Sequence, residues 1–234
     1  MGGRACVSSA VESRGRRRRH VSASGSPICT GASPRRPEAP AISRNRLVKL
    51  PPVKSAERTY RQERFAPPPG ATELLLVRHG ASRAFRPGEP FPLVNGQGDP
   101  ELAPEGHEQA ARVCRRLSAV RIDEIYVSSL RRTRQTAEPL ARSLGLTPQV
   151  EPDLREVHLG SWEGGLFRVK VAENDPLAQR LFAEERWDVI PGAEDAEAFA
   201  GRVRAVLGRL AARHPGRRLA VFTHGAFIAQ ALAL

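Results

Sequence analysis

Leu74-Leu75-Leu76-Val77-Arg78-His79-Gly80-Ala81 decides the fold, because its pattern returns near the far end of the chain as Leu219-Ala220-Val221-Phe222-Thr223-His224-Gly225-Ala226. Each stretch opens with four apolar residues that do not alternate with polar ones. Flanked by turn signals, such a run reads as a short strand buried on both faces of a parallel sheet. Each histidine then falls at the carboxyl end of its strand. In open α/β sheets that edge carries the ligand, because the loops leaving it form a crevice and helix amino termini point into it.

Between the two runs the pattern alternates. A Gly/Pro-rich stretch from Arg86 to Pro100 is too long for a simple βα turn, and loops of that length are usually functional. Helical spacing starts near Pro104 and places Ala110, Ala111, Val113, Cys114 and Leu117 on one side. Ile122 to Val127 reads as a strand, and Arg131 to Leu144 as a helix capped by Gly145. Thr147 to Val150 fits a short strand, 153–167 a loop at the active edge, and 175–186 a weakly amphipathic helix. Ala193 to Arg213 carries a strong helical stripe that His214-Pro215-Gly216 stops. The alternation predicts a three-layer α/β/α sandwich with a mostly parallel sheet.

Charge is distributed unevenly. Residues 1–70 hold 15 of the 37 Lys and Arg but only 4 of the 25 Asp and Glu, a net of +11, which leaves the remainder at +1. The basic character therefore belongs to an Arg/Ser/Pro-rich tail, expected to be disordered over 1–69, and the domain is expected over 70–234. That tail composition also fits a transit peptide. A near-neutral body gives no reason to require nucleic acid as a partner. No apolar stretch approaches 18 residues, so no membrane span is expected. Cys6, Cys29 and Cys114 are odd in number and widely spaced, which fits a reducing, cytoplasmic setting rather than a disulfide framework or a zinc site. Helical spacing from Ala226 to Leu234 stops without a cap, which gives the expectation of a domain incomplete at its carboxyl end.

Arg78-His79-Gly80 is the sharpest chemical signal. An imidazole can attack phosphorus, an adjacent guanidinium can hold phosphate oxygens in a bidentate grip, and glycine lets the backbone approach an anion. Outside a strand-end setting, His79 would read as a structural histidine bonded to a neighbouring carbonyl. His158 lies two residues from Glu156, but no third ligand has metal-site spacing, so it reads as a loop or substrate-facing residue. His107 and His214 read as surface residues.

Further stretches follow in a familiar order: Gly98-Asp99-Pro100-Glu101-Leu102 with Gly106, Gln109 and Ala110; Ser128-Ser129-Leu130-Arg131-Arg132-Thr133-Arg134-Gln135-Thr136-Ala137; Leu154-Arg155-Glu156 with Gly160, Trp162, Glu163 and Gly164; and Thr223-His224-Gly225. Residues 72–234 thus resemble the histidine phosphatase superfamily, with its phosphoglycerate mutase-like fold. The resemblance implies that His79 is the phosphorylated nucleophile. Arg78, Arg132 and His224 would cradle the phosphoryl oxygens, and Glu156 would act as general acid and then base, with Glu163 as its rival. Ser82 stands where a hydroxyl is usual near the phosphate. Ala81 and Phe85 replace an acidic or amide residue and an asparagine that relatives often carry, and Phe85 is expected to line the leaving-group pocket together with Asn95 and Trp162.

The resulting expectation is a phosphomonoester hydrolase that needs no metal or other cofactor and acts through a phosphohistidine on a small phosphorylated metabolite. A mutase and a non-catalytic phosphate-binding module are the alternatives. Only 60 residues separate Glu163 from His224, where mutases of this family usually carry a larger capping insertion. The sequence leaves oligomeric state open.

Overall fold

The computed structural model describes residues 66–234, so the expectations for the basic tail before Ala66 lie outside the described residues. Strand β1 (Glu73–Arg78) leads into the first histidine loop, and a small hairpin of β2 (Leu93–Val94) and β3 (Gln97–Gly98) follows. Helix α1 (Pro104–Leu117), strand β4 (Glu124–Val127), helix α2 (Arg131–Leu144) and strand β5 (Gln149–Val150) come next. Three helices then run in sequence, α3 (Leu166–Ala172), α4 (Pro176–Glu184) and α5 (Ala196–Arg213), before β6 (Arg218–Thr223) and α6 (Gly225–Leu232).

The main sheet has the order β1-β6-β4-β5 and every pairing in it is parallel. Alternate residues of the central strands feed opposite cores, as a strand's two-residue period requires. Tyr126, Leu219 and Val221 pack with Phe199, Val203, Val206 and Leu210 of α5 and Phe227 of α6. Ile125, Val127, Ala220 and Phe222 face the other way, onto Ala137, Leu140 and Ala141 of α2 and the apolar side of α1. The two cores make the three-layer sandwich. A smaller cluster of Trp162, Ala178, Leu181 and Ile190 supports the loops at the carboxyl edge of the sheet.

The two apolar runs are not equivalent in the fold. β6 is central and buried from Leu219 to Thr223, whereas β1 forms an edge of the described sheet and its leucines are only half-buried. Buried on both faces holds for the second run and not for the first. Two elements were also absent from the sequence reading: the β2–β3 hairpin inside the Gly/Pro-rich stretch and helix α3. His214, expected at the surface, is buried and bonds the Tyr126 hydroxyl through Nε2 at 2.9 Å.

Candidate active site

His79 leaves the end of β1 with its ring fixed by one bond on each side. Nδ1 lies 2.7 Å from the Gly80 carbonyl, which can only accept, so Nδ1 carries the ring proton. Nε2 therefore presents a lone pair, toward which Arg132 Nε donates at 3.2 Å. Burial, aided by the charge of Arg132, lowers the His79 pKa from 6.5 to about 3. The imidazole is thus neutral and nucleophilic across the ordinary pH range.

Local packing explains why the loop holds this shape. Gly80 N–H donates to Thr136 Oγ1 and Ala81 N–H to Gln109 Oε1, so α2 and α1 both grip the turn. A Cβ on Gly80 would stand 2.6 Å from the Gly106 carbonyl oxygen, and one on Gly106 only 2.0 Å from that of Ala81. Glycine is required at both positions by the close approach of α1 to this loop. Arg132 sits in the first turn of α2, buried, with Nη1 donating to the Gly98 carbonyl at 2.9 Å. Its neighbour Arg131 pairs with the buried Asp99 at 3.0 Å and sets the hairpin against α2. Arg78 lines the same cavity and is exposed.

His224 stands behind His79, fully buried, with the two rings edge to face and their centroids 5.1 Å apart. Nε2 is 2.8 Å from Ser128 Oγ, and Nδ1 has no partner among the described residues. When the Ser128 hydroxyl proton is given to Nε2, Nδ1 carries the ring hydrogen and becomes a donor for a phosphoryl oxygen. Burial, with the charge of Arg132 next, holds the His224 pKa well below its ordinary value.

Glu156 and Glu163 both line the cavity, but their oxygens are occupied differently. Glu163 ties two loops together: Oε1 accepts from Leu159 N–H at 2.8 Å and Oε2 from Gly98 N–H at 2.7 Å. Glu156 accepts longer bonds from Val157, Ala226 and Phe227 N–H, at 3.1 to 3.3 Å, the last two in the first turn of α6. A helix amino terminus favours the carboxylate, yet desolvation prevails and raises the Glu156 pKa. A carboxyl that can arrive protonated is what a general acid requires.

The loop bearing Glu156 is clamped from α5 by a residue the sequence reading did not single out. Arg202 Nη1 donates to the Asp153 and Arg155 carbonyls at 2.7 and 3.0 Å, and Nη2 to the Glu156 carbonyl at 3.3 Å. Glu194 completes the clamp with bonds of 2.8 and 2.6 Å to the same guanidinium. Gln97, also buried, donates to the Glu156 carbonyl at 2.8 Å. The signal for Arg202 was present: with Phe199, Val203 and Val206 it shares one helical stripe, where a charge needs buried partners.

Arg78, His79, Gln97, Arg132, Glu156 and Glu163 line a cavity of about 560 Å³, whereas His224, expected in the phosphate cradle, is buried behind His79 and does not line it. Trp162 lines it, as expected, and so does Ser82, whose hydroxyl accepts from Arg168 Nη2 at 2.8 Å. Phe85 and Asn95 do not line it. Phe85 packs behind the wall, against Gly165 and edge to face with Phe91 at 5.7 Å. Asn95 is exposed at the tip of the β2–β3 hairpin with φ of 50°, a turn role that Asn-Gly favours. His158 turns into its own loop, where Nδ1 accepts from Gly160 N–H at 3.0 Å.

The profile of the Histidine phosphatase superfamily (branch 1) matches residues 74–234. The chain is 36% identical over 162 residues to phosphoglycerate mutase-like protein 4 of Arabidopsis thaliana, covering 67% of each chain. It is 35% identical over 158 residues to the metal-independent phosphoserine phosphatase of the same organism, covering 66% of this chain and 64% of that one. The chain thus spans about two thirds of the length of these relatives. Among solved structures, the mycobacterial glucosyl-3-phosphoglycerate phosphatase is similar at 30% identity and a TM-score of 0.58, over 70% of this chain and 78% of that one. That phosphatase has also been solved with inorganic phosphate and with VO3. Profile, relatives and site geometry agree, and the chain belongs to the histidine phosphatase superfamily.

Proposed function

We propose that the domain hydrolyses small phosphomonoesters by double displacement at His79. The carrying observation is the fixed tautomer of His79, whose Nε2 lone pair faces the Arg132 guanidinium in the cavity that also holds Glu156. In the first step Nε2 attacks phosphorus, the ester P–O bond breaks, and Glu156 gives its proton to the departing oxygen. The Gly80 carbonyl stabilises the positive ring through Nδ1–H. In the second step water attacks phosphorus, Glu156 takes the water proton, and the P–N bond breaks to release phosphate. Arg78, Arg132 and His224 stabilise the transferring group. Relatives named as phosphoserine phosphatase and glucosyl-3-phosphoglycerate phosphatase support a small phosphorylated metabolite as substrate.

The test is hydrolysis of an aryl phosphate in excess chelator by wild type, His79→Ala and Glu156→Gln. The expected result is turnover by wild type, together with an acid-labile, alkali-stable phosphoenzyme that His79→Ala abolishes. Turnover by a folded His79→Ala variant overturns the nucleophile assignment. Phosphate binding without turnover by the wild type favours the binding-module alternative, and phosphoryl return to a hydroxy-acid acceptor in preference to water favours the mutase.

A further inference from the structure

Glu163 lines the cavity, yet both of its oxygens are engaged as acceptors, from Leu159 N–H at 2.8 Å and from Gly98 N–H at 2.7 Å. What Gly98 does next gives that grip a consequence. Its carbonyl accepts from Arg132 Nη1 at 2.9 Å, and Arg132 Nε donates to His79 Nε2 at 3.2 Å. A carboxylate is thereby connected to the nucleophile through one glycine of β3 and one guanidinium.

Gly98 is the pliant link in this chain, because a residue without a side chain turns easily about its Cα unless the peptides on both sides are held. The following peptide is held by Asp99, whose N–H donates to the Pro92 carbonyl at 2.7 Å and whose carboxylate accepts from Arg131 N–H and Nε at 2.7 and 3.0 Å. Glu163 holds the preceding one. A Cβ on Gly98 would stand 3.4 Å from Glu163 Oε2 and 3.3 Å from Gly164 N, so the glycine also makes room for the grip. Charge points the same way. Arg132 is buried, and no carboxylate forms an ion pair with it among the described residues. Burial disfavours its charged form, and Glu156, Asp99 and Glu163 oppose burial from farther away. Glu156 is protonated in the first step of the proposed reaction, and Asp99 is paired with Arg131. Glu163 remains to balance Arg132 at that step.

Building on the hydrolase reading, we infer that Glu163 is a positioning residue, which aims the Arg132 guanidinium at the transferring phosphoryl group by fixing Gly98. It donates no proton in the reaction. Its effect on turnover passes through Arg132 and is lost when the planar fork of Arg132 is lost.

The test is a double-mutant cycle on kcat/KM for p-nitrophenyl phosphate and phenyl phosphate, with wild type, Glu163→Gln, Arg132→Lys and the double variant, each checked for cooperative unfolding. Glutamine keeps the shape of Glu163 but offers one oxygen, and its amide nitrogen cannot accept from the second N–H. Glu163→Gln should lower kcat/KM by about tenfold to a hundredfold, the effect of a displacement of about 1 Å at the reacting groups, and by the same factor on both esters. In the Arg132→Lys background the same substitution should cost less than about threefold. Glu163→Asp keeps the charge but is one methylene short of spanning both amides; it should show the same coupling, and it decides the matter should the glutamine variant fail to fold. Equal losses in the two backgrounds would show that Glu163 only ties loops together, and wild-type rates in a folded variant would show that it does not aim Arg132; either overturns the inference. A loss that is larger on phenyl phosphate, the poorer leaving group, would make Glu163 a proton donor and overturn it as well. In each of those cases hydrolysis by wild type leaves the hydrolase reading standing. Hydrolysis of neither ester by folded wild type removes that reading and this inference with it.

Discussion

Arg132 Nε donates to His79 Nε2 at 3.2 Å, so the guanidinium of the phosphoryl cradle occupies the lone pair through which the histidine would attack. This contact orients the lone pair, and the Arg132 charge adds to burial, the larger cause, in disfavouring protonation of the ring. In the proposed mechanism an entering phosphoryl group would take over the Arg132 donors and free the lone pair. Arg132→Lys keeps the charge but loses the planar fork, and it should lower kcat/KM for an aryl phosphate by about 10²- to 10³-fold, the range for losing one preorganised donor. A Lys variant within threefold of wild type would exclude this dual role.

The proposed nucleophile and the proposed acid have pKa values moved in opposite directions. His79 titrates near 3 and Glu156 above its ordinary 4.5, both chiefly through desolvation. Activity needs the first deprotonated and the second protonated. The profile of kcat/KM, corrected for ionisation of the ester, should therefore rise through about pH 3 and fall on the alkaline side as Glu156 ionises. In Glu156→Gln the residual rate should lose that alkaline limb. An acid limb near 6.5 would mean that His79 titrates as a solvated imidazole.

The same shift makes the fold sensitive to acid. Between pH 6.5 and about 3 the unfolded chain binds the His79 proton and the folded chain does not. The His79 contribution to stability therefore rises with pH across that window and is lost as pH falls through it, while Glu156, whose folded pKa is raised, acts in the opposite direction above its ordinary 4.5. At about 1.4 kcal/mol per unit the full His79 span is on the order of 5 kcal/mol. His224, whose pKa is also lowered, adds in the same direction. Thermal unfolding of His79→Gln should show a shallower dependence on pH than wild type over this window, and parallel curves would place the acid sensitivity elsewhere.

How much of this was legible depended on what each signal measures. The two His-Gly-Ala runs located both histidines and the carboxyl edge of the sheet. They could not distinguish central β6 from edge β1, because an apolar run reports hydrophobicity and not the number of neighbours. Asn95-Gly96 was a readable hairpin signal, with both residues at positive φ, and it places Asn95 in a turn rather than in the pocket. Helix α3 escaped because it follows Gly164-Gly165 and buries no residue fully, so its sequence carries no strong stripe. Phe85 was correctly placed near the pocket and wrongly placed in its wall, since its partner Gly165 is set by the fold. Glu163 and Arg202 gain their meaning only from backbone groups that folding brings to them.

Arg202 offers the most direct test of how the fold positions the acid. Its side chain is nearly buried, pairs with Glu194, and holds the carbonyl groups of Asp153, Arg155 and Glu156 in the loop. Arg202→Met would strand the Glu194 charge and is expected to cost about 3–5 kcal/mol, enough to confuse misfolding with miscatalysis. Arg202→Lys separates the two. Its ammonium can still face Glu194, but it cannot span the carbonyls of Asp153, Arg155 and Glu156 together. The expected outcome is a folded protein whose kcat falls by about tenfold to a hundredfold with little change in KM, because a displacement of about 1 Å at the reacting groups has that effect. The deficit should be smaller for an aryl phosphate with a very acidic leaving group, which needs little help from Glu156. A uniform loss across leaving groups, or wild-type kcat, would reduce Arg202 to a stabilising ion pair.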